Sequence, residues 1–116
     1  MPFHPRDFLS FARSLAGGNS SEEGLRTAVG RAYYGLFLIA RERTRLTVRN
    51  RVHAEVKREV RRRDKATGDK LGALHRLRLV ADYEVVPVDP GDRDWGSNWS
   101  RADAIASEIA PRIENI

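Results

Sequence analysis

Cysteine is absent from the 116 residues, and histidine occurs only three times. Without cysteine the chain has neither a disulfide framework nor a thiolate metal site, so we expect no structural metal and no cofactor. No stretch approaches the roughly 20 apolar residues that span a bilayer, and the segment Met1 to Asp7 lacks the long apolar core of a secretory signal. The sequence therefore predicts a cytoplasmic protein that makes no membrane contact.

Lysine is also scarce, because 18 of the 21 basic residues are arginine. The charge is unevenly spread, with 14 basic and 5 acidic residues in the segment 41–78 and an acidic excess in the rest of the chain. Such asymmetry favours an anionic partner, either nucleic acid or an acidic protein surface. The length accommodates one hydrophobic core, so we expect residues 1–116 to form a single domain.

The apolar spacing is helical along almost the whole chain and predicts an all-α fold of four to five helices. The second helix has the clearest pattern, with apolar residues three and four positions apart over four turns. This predicted core stripe consists of Leu25, Ala28, Val29, Ala32, Tyr33, Leu36, Phe37 and Ala40. Gly30 and Gly35 lie within the same helix, where they predict close approach of a neighbouring backbone.

Capping residues and turn formers predict where the helices begin and end. Ser20 with Glu23 reads as a capping box for the second helix, and Asn50 is a candidate cap for a third helix. The segment Ala66–Asp69 is typical of a turn before a fourth helix. Ser100 with Asp103 is a candidate capping box for the last helix.

Two clusters of arginine and tyrosine stand beside the apolar stripes and are the candidate site. Arg31 and Tyr34 lie on a face of the second helix next to its core face. Arg78 and Asp82 in the fourth helix are four residues apart, so they can form an ion pair on one side of that helix. His53 is expected at the border between core and solvent. The basic residues Arg61 and Arg62 either contribute to ligand binding or offset the dipole at the end of the third helix.

These residues carry a family resemblance. The segment Ala28–Phe37 resembles the second-helix signature of HEPN domains, and Arg78–Tyr83 is similar to the Arg-x-x-Ala-Asp-Tyr ending of the fourth helix in one group of them. Val52-His53 resembles the histidine at the start of helix three in the same group. The likeness extends from about Leu25 to the last helix. It implies an all-α up-and-down bundle, usually dimeric, with polar residues of the middle helices in a cleft near the dimer interface.

The resemblance also implies a range of functions. Many HEPN proteins are metal-independent ribonucleases that act as toxins and are often encoded beside a minimal nucleotidyltransferase antitoxin. Their catalytic signature is an arginine followed four to six residues later by histidine, and neither His53 nor His75 has an arginine at that separation. In a composite site, His53, Arg78 and Asp82 would be the catalytic residues, although an Asp82 paired with Arg78 makes a poor base.

Three classes of function therefore stay open. The first is a module that binds a nucleotide, an RNA phosphate or a nucleotidyltransferase partner through Arg31, Tyr34, Arg78, His53 and the basic third helix. The second is a ribonuclease, and the third is a noncatalytic helical scaffold. By analogy with related pairs, Tyr83 is a candidate acceptor of a nucleotidyl group. We expect a homodimer, with the Arg31 side of the second helix as its candidate interface.

Overall fold

A computed structural model describes residues 4–18 and 21–116, and within those ranges every regular element is helical. The all-α prediction is confirmed. The helices are α1 (Arg6–Gly18), α2 (Glu22–Thr44), α3 (Val52–Arg63), α4 (Lys65–Tyr83) and α5 (Trp95–Glu114), with a short 3-10 turn at Pro90–Asp92. Among the described residues no helix is both long enough and apolar enough to cross a membrane.

The apolar stripe of α2 organises the bundle, because α2 packs against each of the other four helices. Its residues Ala28, Val29, Ala32, Leu36 and Ala40 are completely buried, as the three-four spacing predicted. They belong to one hydrophobic cluster that also includes buried side chains of α1, α3, α4 and α5. This packing holds the outer flank of α2 against α4, where the candidate site lies.

The predicted starts of α2 and α3 differ from those in the structure. The cap of α2 is Ser21, whose hydroxyl accepts the Gly24 N–H at 3.2 Å, whereas Ser20 lies outside the described residues. Helix α3 begins at Val52, and Arg51 stands at its N-cap position without a side-chain capping bond. The prediction that Asn50 caps α3 was therefore wrong, because the helix begins one residue too late for it.

The segment Ala66–Asp69 is the first part of α4 and not a turn. The Asp64 carboxylate accepts the Thr67 N–H at 3.2 Å, so it caps α4 directly after α3 ends. Gly68 has a packing role. A Cβ atom at this position would lie 2.4 Å from both Cα and Cβ of Arg61, so the two helices can cross this closely only over glycine.

The last helix also begins earlier than predicted. Its cap is Asp94, whose carboxylate accepts the Ser97 N–H at 3.1 Å, so Ser100 lies inside the helix. Asp103 instead pairs with Arg13 of α1 at 3.0 Å. The prediction of a capping box at Ser100 and Asp103 was wrong, because the aspartate at 94 already supplies the cap upstream.

The two glycines of α2 differ in their surroundings. At Gly35 a Cβ would lie 3.0 Å from the Phe8 Cβ and from the Pro5 carbonyl oxygen, so the predicted close approach is confirmed there. At Gly30 the nearest atom to a Cβ would be a carboxylate oxygen of Asp82 at 3.7 Å, which is ordinary contact. The prediction of a close backbone approach was therefore wrong at Gly30, where the nearest atom belongs to a side chain.

Arg26 fixes the end of α4 against α2. Its guanidinium donates hydrogen bonds to the carbonyl oxygens of Ala81, Glu84 and Val85 at 2.8–3.1 Å. The same group lies over the Trp95 ring, 4.4 Å from the ring centre. The last carbonyl groups of a helix have no N–H partner within the helix, and the Arg26 guanidinium supplies donors for them. These bonds hold the α4 side of the site in place.

Candidate functional site

A cleft of about 370 Å³ lies between α2 and α4 and is lined by four of the predicted site residues. Arg31 and Tyr34 come from α2, one turn apart, and Arg78 and Asp82 come from α4. Gly30 and Thr27 complete the lining. The two clusters that the sequence placed on separate helices therefore meet in one site.

Arg78 and Asp82 form the predicted ion pair, with 2.8 Å between Arg78 Nε and an Asp82 carboxylate oxygen. Both side chains are partly exposed, so screening by water keeps the contribution of the pair to stability small. The pair uses the Nε edge of the guanidinium. The ion pair fixes the direction of the Arg78 side chain at the wall of the cleft.

Arg31 differs from Arg78, because no described carboxylate lies within ion-pairing distance of it. Its guanidinium carbon lies 5.9 Å from the centre of the Phe8 ring, at the outer limit of a cation–π contact. The residue is exposed. Arg31 thus presents a positive charge to the cleft without a resident anion.

Tyr34 presents a supported aromatic ring beside these arginines. The Phe8 ring meets it edge to face with 5.2 Å between the ring centres, and the Phe37 ring lies 6.4 Å away. The residue nevertheless remains 39% exposed. A ring that is held by two neighbours and still open to solvent can stack on a planar ligand without first losing its own side-chain freedom.

His53 lies behind the cleft in a stack of rings contributed by three helices. Its Nδ1 is 2.6 Å from the Tyr33 hydroxyl oxygen, and its ring centre is 4.1 Å from that of Phe37. His75 of α4 stacks on Tyr33 at 4.7 Å and on His53 at 5.1 Å. The stack therefore contains two histidines, only one of which was predicted to belong to the site.

Burial and nearby positive charge hold both histidines in their neutral form. Burial is the largest cause for each, and the charge of Arg78 lowers both pKa values further. The pKa of His75 falls to about 4, and that of His53 is lowered with an added contribution from Arg41. Burial raises the pKa of Tyr33, so its hydroxyl keeps its proton and shares a hydrogen bond with His53 Nδ1, whose direction depends on the histidine tautomer.

The lowered histidine pKa values predict that stability falls with acidification between about pH 6.5 and 4. The unfolded chain binds more protons than the folded chain in this window, so this contribution is complete above pH 6.5 and is lost as the pH falls. We expect a loss of the order of 1 kcal/mol, because water at the partly exposed rings screens the effect. Urea unfolding at several pH values measures it.

A matched variant distinguishes the contribution of His75 to the pH dependence of stability from that of the carboxylates. His75→Phe keeps a stacking ring, so the pH dependence above pH 4 should decrease. Carboxylates with lowered pKa values, such as Asp92 beside Arg76, lose their contribution mainly at lower pH. An unchanged slope between pH 6.5 and 4 in the variant would contradict the assignment to His75.

The remaining predicted residues lie outside the cleft. Arg61 pairs with Asp69 at 2.7 Å and Arg62 with Glu59 at 2.6 Å, so both are engaged in exposed ion pairs on α3 and α4. Arg62 lowers the pKa of Glu59 to about 2, with Arg63 adding to the effect. Tyr83 is 72% exposed at the end of α4 and does not line the cleft.

The structure adds Tyr33 and His75 to the predicted set. Tyr33 lies on the core stripe and is 2% exposed, so sequence spacing indicated ordinary packing. His75 was not assigned to the site from the sequence. The signal available in the sequence was its position three residues before Arg78, which places both on one face of α4.

A larger depression of about 710 Å³ lies elsewhere, at the C-terminal ends of α3 and α5. Two of its charged residues have structural duties, since Arg63 pairs with Glu59 and Asp64 caps α4, and its lining includes no aromatic side chain. The smaller cleft between α2 and α4 is therefore the better candidate, because it combines an unpaired arginine with a supported aromatic ring.

Within residues 4–18 and 21–116 no group of three or more His, Asp or Glu residues could hold a metal ion. No protein-family model matches the chain, and neither a curated protein nor a solved structure matches it. The resemblance to HEPN domains therefore stays a prediction.

Proposed function

We propose that the cleft between α2 and α4 binds a phosphate-bearing ligand, either a nucleotide or a phosphate of RNA. The observation that carries the proposal is the convergence of Arg31, Arg78 and Tyr34 on one open cleft, with Arg31 lacking a carboxylate partner in the described part of the chain. A guanidinium matches the geometry of a phosphate, and an exposed aromatic ring stacks on a base. The two recognition elements of a nucleotide are thus adjacent.

The charge in the cleft fits one phosphate group. Arg31 and Arg78 contribute two positive charges, and Asp82 offsets one of them. Arg78 lines the cleft and stays partly exposed within its ion pair, so its guanidinium is accessible to a phosphate oxygen. The Asp82 carboxylate also favours hydroxyl groups of a ribose, since a carboxylate only accepts hydrogen bonds.

An NMR titration of the labelled protein with AMP tests this proposal. Amide shifts should concentrate in the two segments that line the cleft, residues 27–34 of α2 and 78–82 of α4. Adenosine is the matched control, because it keeps the base and ribose but lacks the phosphate and should bind at least tenfold more weakly. Equal shifts with AMP and adenosine, or shifts confined to other helices, would refute the proposal.

We further propose that the protein is HEPN-like and forms part of a toxin–antitoxin pair with a minimal nucleotidyltransferase. The support is the resemblance of Ala28–Phe37 and Arg78–Tyr83 to the two signatures, together with the all-α fold. A homodimer across the Arg31 side of α2 and nucleotidyl transfer to Tyr83 belong to the same proposal. The exposure of Tyr83 is compatible with access by a partner enzyme.

A second candidate function is metal-independent RNA cleavage, which the His53–His75 stack beside Arg78 favours. Attack by a 2′-hydroxyl needs a base to take its proton and an acid to protonate the leaving oxygen. A neutral imidazole can serve as the base. At neutral pH, however, the His75 ring is almost entirely neutral, because burial lowers its pKa to about 4. This shortage of acid is why binding is the primary proposal.

The ribonuclease candidate predicts slow cleavage of single-stranded RNA in the presence of EDTA. His53→Ala and Arg78→Ala should each reduce the rate at least hundredfold, since one removes the base and the other the cation on the phosphate. Circular dichroism confirms that the variants are folded. RNA that stays intact with the wild-type protein across several substrates would eliminate this candidate and leave the binding proposal in place.

A further inference from the structure

Ion pairs neutralise one part of the basic charge of the chain and leave another part unpaired. In the run at the end of α3, Arg61, Arg62 and Arg63 each pair with Asp69 or Glu59. Five arginines between the last turn of α2 and the start of α3 behave differently, and we name them the α2–α3 corner. They are Arg41, Arg43, Arg45, Arg49 and Arg51.

None of the corner arginines has a carboxylate within ion-pairing distance among the described residues. All five are exposed. Glu42 and Glu55 are the nearby acidic residues in the chain, and they leave a clear positive excess. The strongest unneutralised charge is therefore at the corner and not along the end of α3.

The corner continues the cleft along one face of α2. Arg31, Tyr34 and Arg41 fall within about a quarter of the helix circumference, and about 15 Å of helix separates Arg31 from Arg41. His53 stacks on Phe37, which lies along α2 between Tyr34 and Arg41, with 4.1 Å between the ring centres. The positive surface thus runs from the cleft past His53 to the corner.

Two of the corner arginines have a backbone conformation that is unfavourable for arginine. Arg45 and Arg51 adopt left-handed conformations with φ of 57° and 56°. Glycine or asparagine adopts this conformation more easily, whereas for other residues its conformational free energy is about 1 kcal/mol or more higher. Arg45 occupies the position after α2 where glycine is the usual residue. Both strained positions instead carry a long cation.

We infer that the ligand of the cleft is a single-stranded polynucleotide whose backbone continues past His53 to the α2–α3 corner. The inference rests on the proposed function and names its ligand class. Arg31 and Arg41 are about 15 Å apart along α2, which is farther than one nucleotide reaches. A mononucleotide occupies the cleft alone, and a longer strand gains the corner arginines.

Fluorescence anisotropy with labelled oligouridylates of two and of twelve nucleotides tests the inference. The longer strand should bind at least tenfold more tightly. In the triple variant Arg41→Gln, Arg45→Gln, Arg49→Gln this advantage should disappear, while binding of the dinucleotide stays within about twofold. For the longer strand, the slope of log K against log salt should fall by about two, since each lost contact to a single strand removes about 0.7.

The matched control is Arg61→Gln, Arg62→Gln, Lys65→Gln, which removes the same formal charge from residues that are already paired. It should leave the affinity and the salt slope for the longer strand nearly unchanged. Equal losses in both triple variants would mean that bulk charge governs binding, and this would overturn the inference. A dinucleotide that binds as tightly as the longer strand would also overturn it while preserving the proposed function. Absence of binding to either oligonucleotide, with AMP still bound in the cleft, would overturn the inference alone, whereas absence of binding to AMP as well would refute both.

Discussion

Arg31→Gln should weaken AMP binding about ten- to hundredfold and leave the free energy of unfolding unchanged within about 0.5 kcal/mol. A hydrogen bond to a charged group contributes about 1.5–3 kcal/mol, which corresponds to that range of affinity. The free energy of unfolding is insensitive to this substitution because Arg31 is exposed and makes no ion pair with a described carboxylate. Isothermal titration with AMP and urea unfolding measure the two quantities.

Two comparisons sharpen this prediction. Arg31→Lys keeps the charge but loses the planar fork, so it should recover only part of the affinity. Arg112→Gln removes an exposed arginine at the other end of the bundle and should bind AMP as the wild type does. If Arg31→Gln and Arg112→Gln bind AMP equally well, Arg31 does not contact the ligand.

Gly68→Ala should lower the free energy of unfolding by about 2 kcal/mol. The added Cβ would lie 2.4 Å from Cα and Cβ of Arg61, so backbone must move and α3 must separate from α4. Overpacking of this kind typically costs 1–3 kcal/mol and exceeds the gain in helix propensity of about 1 kcal/mol. Thermal or urea unfolding measures the change.

Gly72→Ala is the matched control in the same helix. Its Cβ would meet only the Lys57 side chain, at 3.0 Å from Cδ, and that side chain can move. We therefore expect a neutral effect or a gain of up to about 1 kcal/mol from helix propensity. Equal stability of the two variants would show that α3 and α4 do not cross this closely at Gly68.

The contrast between these glycines shows what the sequence could and could not predict about the fold. The stripe of α2 was predictable because a regular period fixes which residues face the core. The start of α4 was not, because Thr67-Gly68-Asp69 has the composition of a turn. The capping carboxylate of Asp64 and the crossing with α3 override that local preference.

The candidate site was predictable to a similar degree. Arg31, Tyr34, Arg78 and Asp82 follow from helical spacing, since each pair lies on the side of its helix next to the core. The ring stack was not predictable, because the contacts of Tyr33 with His53 and His75 depend on how three helices pack. The pairing of Arg61 with Asp69 joins two helices and was also hidden, so the basic run of α3 was given a binding role.

The most direct test of the binding proposal is a crystal structure of the protein with AMP. It should place the phosphate within hydrogen-bond distance of Arg31 and Arg78 and the adenine against the exposed face of Tyr34. A phosphate bound at the α2–α3 corner with the cleft between α2 and α4 empty of ligand would contradict the central claim.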